Sequence, residues 1–255
     1  MMVGRVVFRF FGELNDFLSR GKRGTLIRYA YSVSPSVKHA IESLGVPHTE
    51  VDLIRANGQS VDFSYRLADG DEILVFPPSI DGAKEDDIHL SPPGGGEGKF
   101  VLDVHLGRLV RLMRLLGFDS LYRNDFSDAE IVRISLEEER VILTRDIGIL
   151  KLGDVKRGYW IRSQEPKSQL FEVMKHFHLR DSVKPFSRCL LCNGRIAPVD
   201  RESVIPLLDR QTVDYFREFH CCPSCVKIYW KGTHFESMQE IVKSLLDNHI
   251  PPGQE

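Results

Sequence analysis

Long apolar runs are missing from this 255-residue chain. With no stretch of roughly 18 or more consecutive apolar residues, no membrane-spanning helix is expected. The opening MMVGRVVFRFFGELND alternates like a strand and has no small-residue cleavage site, so no secretion signal is expected either, and the compartment is read as cytoplasmic. Cysteine is scarce, with 5 residues that all fall between positions 189 and 225. That confinement excludes a disulfide scaffold spread through the chain. Neither charge sign dominates: 34 Lys and Arg stand against 36 Asp and Glu, for a net charge of −2. A globally basic nucleic-acid binder is thereby excluded. The phosphate-cradling G-x-x-x-x-G-K-[ST], the G-x-S-x-G elbow and a G-x-G-x-x-G after a strand are all absent.

What is present is an ordinary globular composition, 42% hydrophobic and 27% charged, in a chain long enough for two or three cores. Residues 100–180 carry 14 Lys plus Arg against 12 Asp plus Glu, slightly positive while the flanks are slightly negative. Residues 81–98, rich in Pro, Gly and acids, read as a linker that includes the GGG run at 94–96. Before it, RVVFRFFG alternates, SVKHAIESLG has helical spacing closed by Gly45, and the stretch from Val51 to Pro78 reads as strands joined by Asn-Gly and Asp-Gly turns. The order β, β, α, β, β predicts a small α+β roll over residues 1–80. After the linker, strands and helices alternate. KFVLD, FDSLY, RVILT and GYWI are strands, and helices start at LGRLVRLMRLLG, SDAEIVRISLEEE, Asp146 and PKSQLFEVMKHF. In the first helix Leu106, Leu109, Val110 and Met113 share a face; Ser127 and Glu130 fit a capping box for the second. That alternation predicts an α/β fold, a parallel sheet with helices on both faces, over 99–180.

The cysteines form two C-x-x-C knuckles, Cys189 with Cys192 and Cys222 with Cys225, separated by 29 residues. Each knuckle offers two thiolates from one turn, and two knuckles complete a tetrahedral site, so a zinc ribbon is expected over 181–255, with Zn²⁺ in a structural role. Cys221 lacks the two-residue spacing and is left as a spare thiol. Tyr229 and Trp230, beside Lys227 and Lys231, offer a stacking surface for unpaired bases, although a core role is favoured for Trp230. Lys231 and His234 are candidates for RNA contact.

In a right-handed parallel sheet all strands end on one side, so Asp103, Asp125, Asp128 and Asp146 are expected along one edge. Carboxylates there would suit Mg²⁺ or Mn²⁺. Asp is also a preferred N-cap, and each of these residues sits where a helix begins. Both readings stay open on the residues alone. His105, directly after Asp103, is equally readable as a phosphate contact or a structural residue.

The segments FVLDVHLGRLVRLMRLLGFDSLYRND, SDAEIVRIS, RVILTRD, SQLFEV, RCLLCNG and CPSCVKIYWKGTH, in this order over roughly residues 99–240, resemble the Mut-7 C-terminal RNase family, a PIN-like nuclease domain carrying a zinc ribbon. The resemblance implies a metal-dependent ribonuclease. It places the catalytic aspartates on Asp103, Asp128 and Asp146, which would hold Mg²⁺ or Mn²⁺, with Asp125 as a less certain fourth. The PIN pattern has a further late acid, for which Asp154 is a candidate, and that gap leaves a full two-metal site unsupported. Residues 1–80 are similar to the ubiquitin-like β-grasp domain often fused to this RNase, and their end resembles that of sulfur carriers. Carriers finish on a free Gly-Gly, whereas here the chain runs on past PPSIDGAK, so a docking module for a protein partner is expected. The expected substrate is RNA, such as tRNA or another structured small RNA, steered by Arg108, Arg111, Arg114 and Arg145. The alternatives are a non-catalytic RNA-binding module, in which the acids are only caps, and a protein-docking adaptor.

Overall fold

The structure, a computed structural model, describes residues 3–79, 86–90 and 98–247. By internal packing the chain divides into two compact units, Met1–Gly96 with Asp128–Trp160, and Glu97–Ser127 with Ile161–Glu255.

The N-terminal sheet follows from period-two burial. In β1 (Gly4–Phe10) Val6, Phe8 and Phe10 point inward and their neighbours outward. It pairs antiparallel with β2 (Ile27–Tyr31). Helix α1 (Val37–Ser43) starts at Ser36, whose hydroxyl accepts the His39 N–H, and it buries Ala40 and Ile41 in the same core as Phe8. Strands β3 (Leu53–Ala56) and β4 (Gln59–Val61) meet at Asn57-Gly58, with φ of 51° and 82°. Those left-handed angles are what a two-residue hairpin requires. The Asn57 amide also donates to Asp71 at 2.8 Å, which ties the turn to the start of β5 (Glu72–Phe76). The sheet order is β2-β1-β5-β3-β4, with β1 and β5 parallel. The roll therefore has five strands, one more than the sequence pattern predicts, because Val51–Pro78 makes three strands and β4 is only three residues long. Of the expected linker, residues 86–90 are fastened to this sheet. The Ile88 N–H donates to Ser60 Oγ and the Leu90 N–H to the Asp52 carbonyl, both at 2.7 Å, while Asp87 pairs with Arg55.

The alternating segment forms as its periodicity predicts. It runs β6 (Lys99–Leu102), α2 (Gly107–Leu115), β7 (Asp119–Leu121), α3 (Asp128–Glu138), β8 (Val141–Thr144), α4 (Ile147–Leu150), β9 (Gly158–Trp160) and α5 (Pro166–His176). Strands β6 and β7 pair parallel, Lys99 opposite Asp119, and so do β8 and β9, Ile142 opposite Gly158. The fold class is mixed α/β, with parallel strands and flanking helices. Helix α2 buries Leu109, Val110 and Met113, with Leu106 buried just before it, and is closed by Gly117, whose φ is +92°. A Cβ there would lie 2.1 Å from the Lys184 carbonyl oxygen, so no other residue fits. In the unit that holds β8 and β9, the loop around His48 reaches β9. Glu50, 1% exposed, accepts the Trp160 N–H at 2.6 Å; His48 Nε2 lies 2.7 Å from the Val155 carbonyl; and the Phe17 and Trp160 rings are 5.1 Å apart. Burial pushes the His48 pKa down, and the Glu42 carboxylate, 2.7 Å from Nδ1, opposes that shift.

The C-terminal region carries β10 (Ala197–Val199), the short helices α6 (Arg201–Val204) and α7 (Arg210–Tyr215), β11 (Phe219–Cys221), β12 (Ile228–Trp230) and the long α8 (Thr233–Asp247). Its three strands are antiparallel in the order β10-β11-β12 over a small core of Val204, Phe219 and Ile228, with Trp230 packed beside them. No helix among the described residues is long and apolar enough to cross a membrane.

Candidate metal centre and acidic strand ends

The four cysteine sulfurs of the two knuckles all lie within 4.8 Å of one another. Cys189 and Cys225 are 3.6 Å apart and Cys192 and Cys222 are 3.4 Å apart, too far for disulfides and near the roughly 3.8 Å edge of a tetrahedron with Zn–S bonds of about 2.3 Å. The donor set therefore fits a tetrahedral thiolate-bound ion such as zinc. Among the described residues this is the one such group of three or more potential ligands.

Both knuckles are built alike. The N–H after each second cysteine returns to the carbonyl of the first, Asn193 to Cys189 at 2.9 Å and Val226 to Cys222 at 2.8 Å, and both residues take positive φ, 72° and 59°. For a β-branched valine that conformation is strained. Burial alone would push the Cys189 thiol up, but the Tyr229 hydroxyl at 3.0 Å and the N–H groups of Cys192 and Leu191 bring it down to about 6. Burial pushes Cys192 up to about 12. A bound cation would hold all four as thiolates. Cys221 lies outside the cluster, its Sγ facing the Cys222 carbonyl. Tyr229, read from the sequence as a stacking or core residue, is the hydroxyl donor to a ligand sulfur. No spacing rule signals that role.

Of the candidate aspartates, two cap helix starts. Asp103, 3% exposed, directly follows β6 and accepts the His105 N–H at 2.7 Å. Asp146, exposed, follows Thr144 and Arg145 after β8 and accepts the Gly148 N–H at 2.7 Å. Asp128 stands exposed in the first turn of α3. Asp125 is exposed and held bidentately by Arg123, both contacts at 2.8 Å; that hydrogen bonding keeps its carboxyl below the usual range. Asp154 is exposed between α4 and β9, and His105 is exposed with its own N–H on Asp103.

The basic residues divide. Arg108 and Arg111 are exposed on α2. Arg114 is not: it is 3% exposed, and its guanidinium donates to the carbonyls of Ser120 (2.9 Å), Leu190 (3.2 Å) and Leu191 (2.9 Å). The expectation that Arg114 contacts RNA is corrected, because its donors bind the backbone of the first knuckle. Arg145 is half-buried, and its carbonyl accepts the Trp160 indole N–H at 3.2 Å. Lys231 is exposed and pairs with Glu218 at 2.7 Å, while His234 is exposed near the start of α8.

A β-grasp sheet, parallel strands that end on aspartates and a four-cysteine ribbon together define a ribbon-bearing α/β protein with a ubiquitin-like N-terminal domain. The model of the Mut7-C RNAse domain matches residues 98–242, and that of the Mut7-C ubiquitin matches residues 3–81. The chain belongs to the Mut7-C RNAse domain family. Two solved structures from Haloferax volcanii are similar to part of it. One is the crystal structure of SAMP1, 21% identical with a TM-score of 0.25, covering 31% of this chain and 100% of that one. The other is the solution structure of the HVO 2177 protein, 21% identical with a TM-score of 0.26, covering 31% of this chain and 88% of that one. No curated protein matches.

Proposed function

We propose that the chain is a divalent-metal-dependent ribonuclease. Asp103, Asp128 and Asp146 hold Mg²⁺ or Mn²⁺, Asp125 stands as a fourth acid, Zn²⁺ pins the ribbon, and the ubiquitin-like domain docks a protein partner. The family match across residues 98–242 carries this reading. The aspartates suit it chemically: carboxylate oxygens are the ligands that hard divalent ions take, and a carboxylate has two oxygens, so capping and ligation are compatible. When bound, the ion supplies charge at the scissile phosphate and an acidified water. The chain's own part is to fix the carboxylates. Capping holds Asp103 on the N–H of His105 and Asp146 on that of Gly148, while the exposed Arg108 and Arg111 draw the RNA backbone inward.

The two observed caps also favour a second reading, an RNA-binding module that does not cut. Cleavage of end-labelled total small RNA with added Mn²⁺ or Mg²⁺, comparing wild type with Asp146→Asn, separates the two. Asparagine caps as well as aspartate but is a poor ligand, so the ribonuclease reading expects lost cleavage with an unchanged melting temperature. Cleavage by Asp146→Asn at the wild-type rate would overturn the metal assignment. RNA bound but uncut by both would leave the binding module standing.

A further inference from the structure

A groove of about 720 Å³ opens on the ribbon, inside the second unit, and none of the aspartates above lines it. Its Phe, Tyr and Trp side chains are Phe216, Tyr229, Trp230 and Phe235, and its basic rim is Arg111, Lys227 and His234. No carboxylate lines it, in a chain where acids outnumber Lys and Arg by 36 to 34. Arg111, Lys227 and His234 are exposed and the four rings half-buried, so the basic groups face solvent over an aromatic floor. Gly232 keeps the groove open: a Cβ there would come 3.1 Å from the Trp230 indole nitrogen and 3.4 Å from the Phe216 ring.

We infer that this groove binds an unpaired stretch of RNA, with bases against Trp230 and Phe216 and phosphates against Arg111 and Lys227. The inference rests on the RNA reading above but not on cleavage. Flat rings accept any base face, and clustered cations without a competing acid accept a polyanion; together they are the recognition chemistry of single strands. The volume lies in the range of small-ligand clefts, large enough for one or two nucleotides. The metal centre shapes the same surface. Tyr229 donates to Cys189, and Leu190 and Leu191, between the first pair of ligands, form part of the lining. Binding of RNA should therefore require an intact ribbon, although the cation touches no nucleotide.

The test uses the full chain in an Asp146→Asn background without added Mg²⁺ or Mn²⁺, so that no cleavage intervenes. The probe is a fluorescein-labelled oligouridylate of about a dozen nucleotides. The double variant Arg111→Glu/Lys227→Glu changes only exposed side chains, and its zinc content and melting temperature confirm that it folds. Expected is a rise in Kd of about tenfold or more, with the slope of log K against log salt lower by about 1.4 for two lost phosphate contacts. Trp230→Leu should weaken binding about fivefold or more while leaving the salt slope unchanged. An unchanged Kd and slope in the double variant would overturn the inference. So would displacement of the RNA by polyglutamate at equal charge, which would mark an acidic-peptide site. If wild type cuts RNA and the double variant with Asp146 intact cuts with the same KM, the groove and the steering role of Arg111 fail while the ribonuclease reading stands. If nothing cuts but the groove binds, the ribonuclease reading fails alone.

Discussion

Asp146 has a capping duty that can be separated from any other. Replacing it with alanine removes the acceptor for the Gly148 N–H and should cost about 1 kcal/mol in urea unfolding, whereas asparagine should cost almost nothing. Arg114 is a stronger case. Arg114→Met would leave the carbonyls of Ser120, Leu190 and Leu191 without their donor, and should destabilise by about 3 kcal/mol and weaken zinc retention. Lysine should not rescue it, because one ammonium cannot span the positions of a planar guanidinium. The sequence pattern misplaces this residue for a geometric reason. Residues three apart on a helix advance about 300°, so Arg108, Arg111 and Arg114 drift by about 60° at each step, and the third turns toward the face that buries Val110 and Met113.

At the scale of elements, the knuckles combine what spacing reveals with what it hides. The two C-x-x-C pairs identify the four ligands, so Cys222→Ser should abolish stoichiometric zinc while Cys221→Ser leaves it unchanged, as read by metal analysis of the purified chains. The left-handed turn after each pair is legible as a knuckle, but Val226 is an unexpected occupant. Val226→Gly should raise stability by about 1 kcal/mol, since it relieves a strained φ at a site 61% exposed, where the side chain packs little. The helices of the α/β segment were readable from their single clear period, and its short strands from their regular alternation with those helices. The middle strand of the Val51–Pro78 stretch, β4, was not, because its three residues lie between turns with no helix beside them to frame a strand. The Trp160 to Glu50 contact joins residues 110 apart in sequence, and no local pattern encodes it.

For the whole molecule, acid stability should depend on His176. Burial first, then the charge of Arg162, pushes its pKa from 6.5 down to about 4. Unfolding frees the ring to take a proton near 6.5, so the unfolded chain binds more protons between these values and stability falls as pH drops from about 6.5 to 4. Denaturant titrations across that window should steepen for the wild type and flatten for His176→Gln. The division into units has its own consequence for how the protein is made. Residues 1–96 and 128–160 complete one unit, and residues 97–127 wait for 161 onward to complete the other. A ribosome delivers the chain from its amino end, so the N-terminal sheet emerges long before β8 and β9. Until Trp160 clears the exit tunnel, Glu50 and Phe17 lack the partners they have in the finished fold. The nascent chain thus passes through a long interval with apolar surface on show, in which a chaperone has work to do and a pause in translation carries risk.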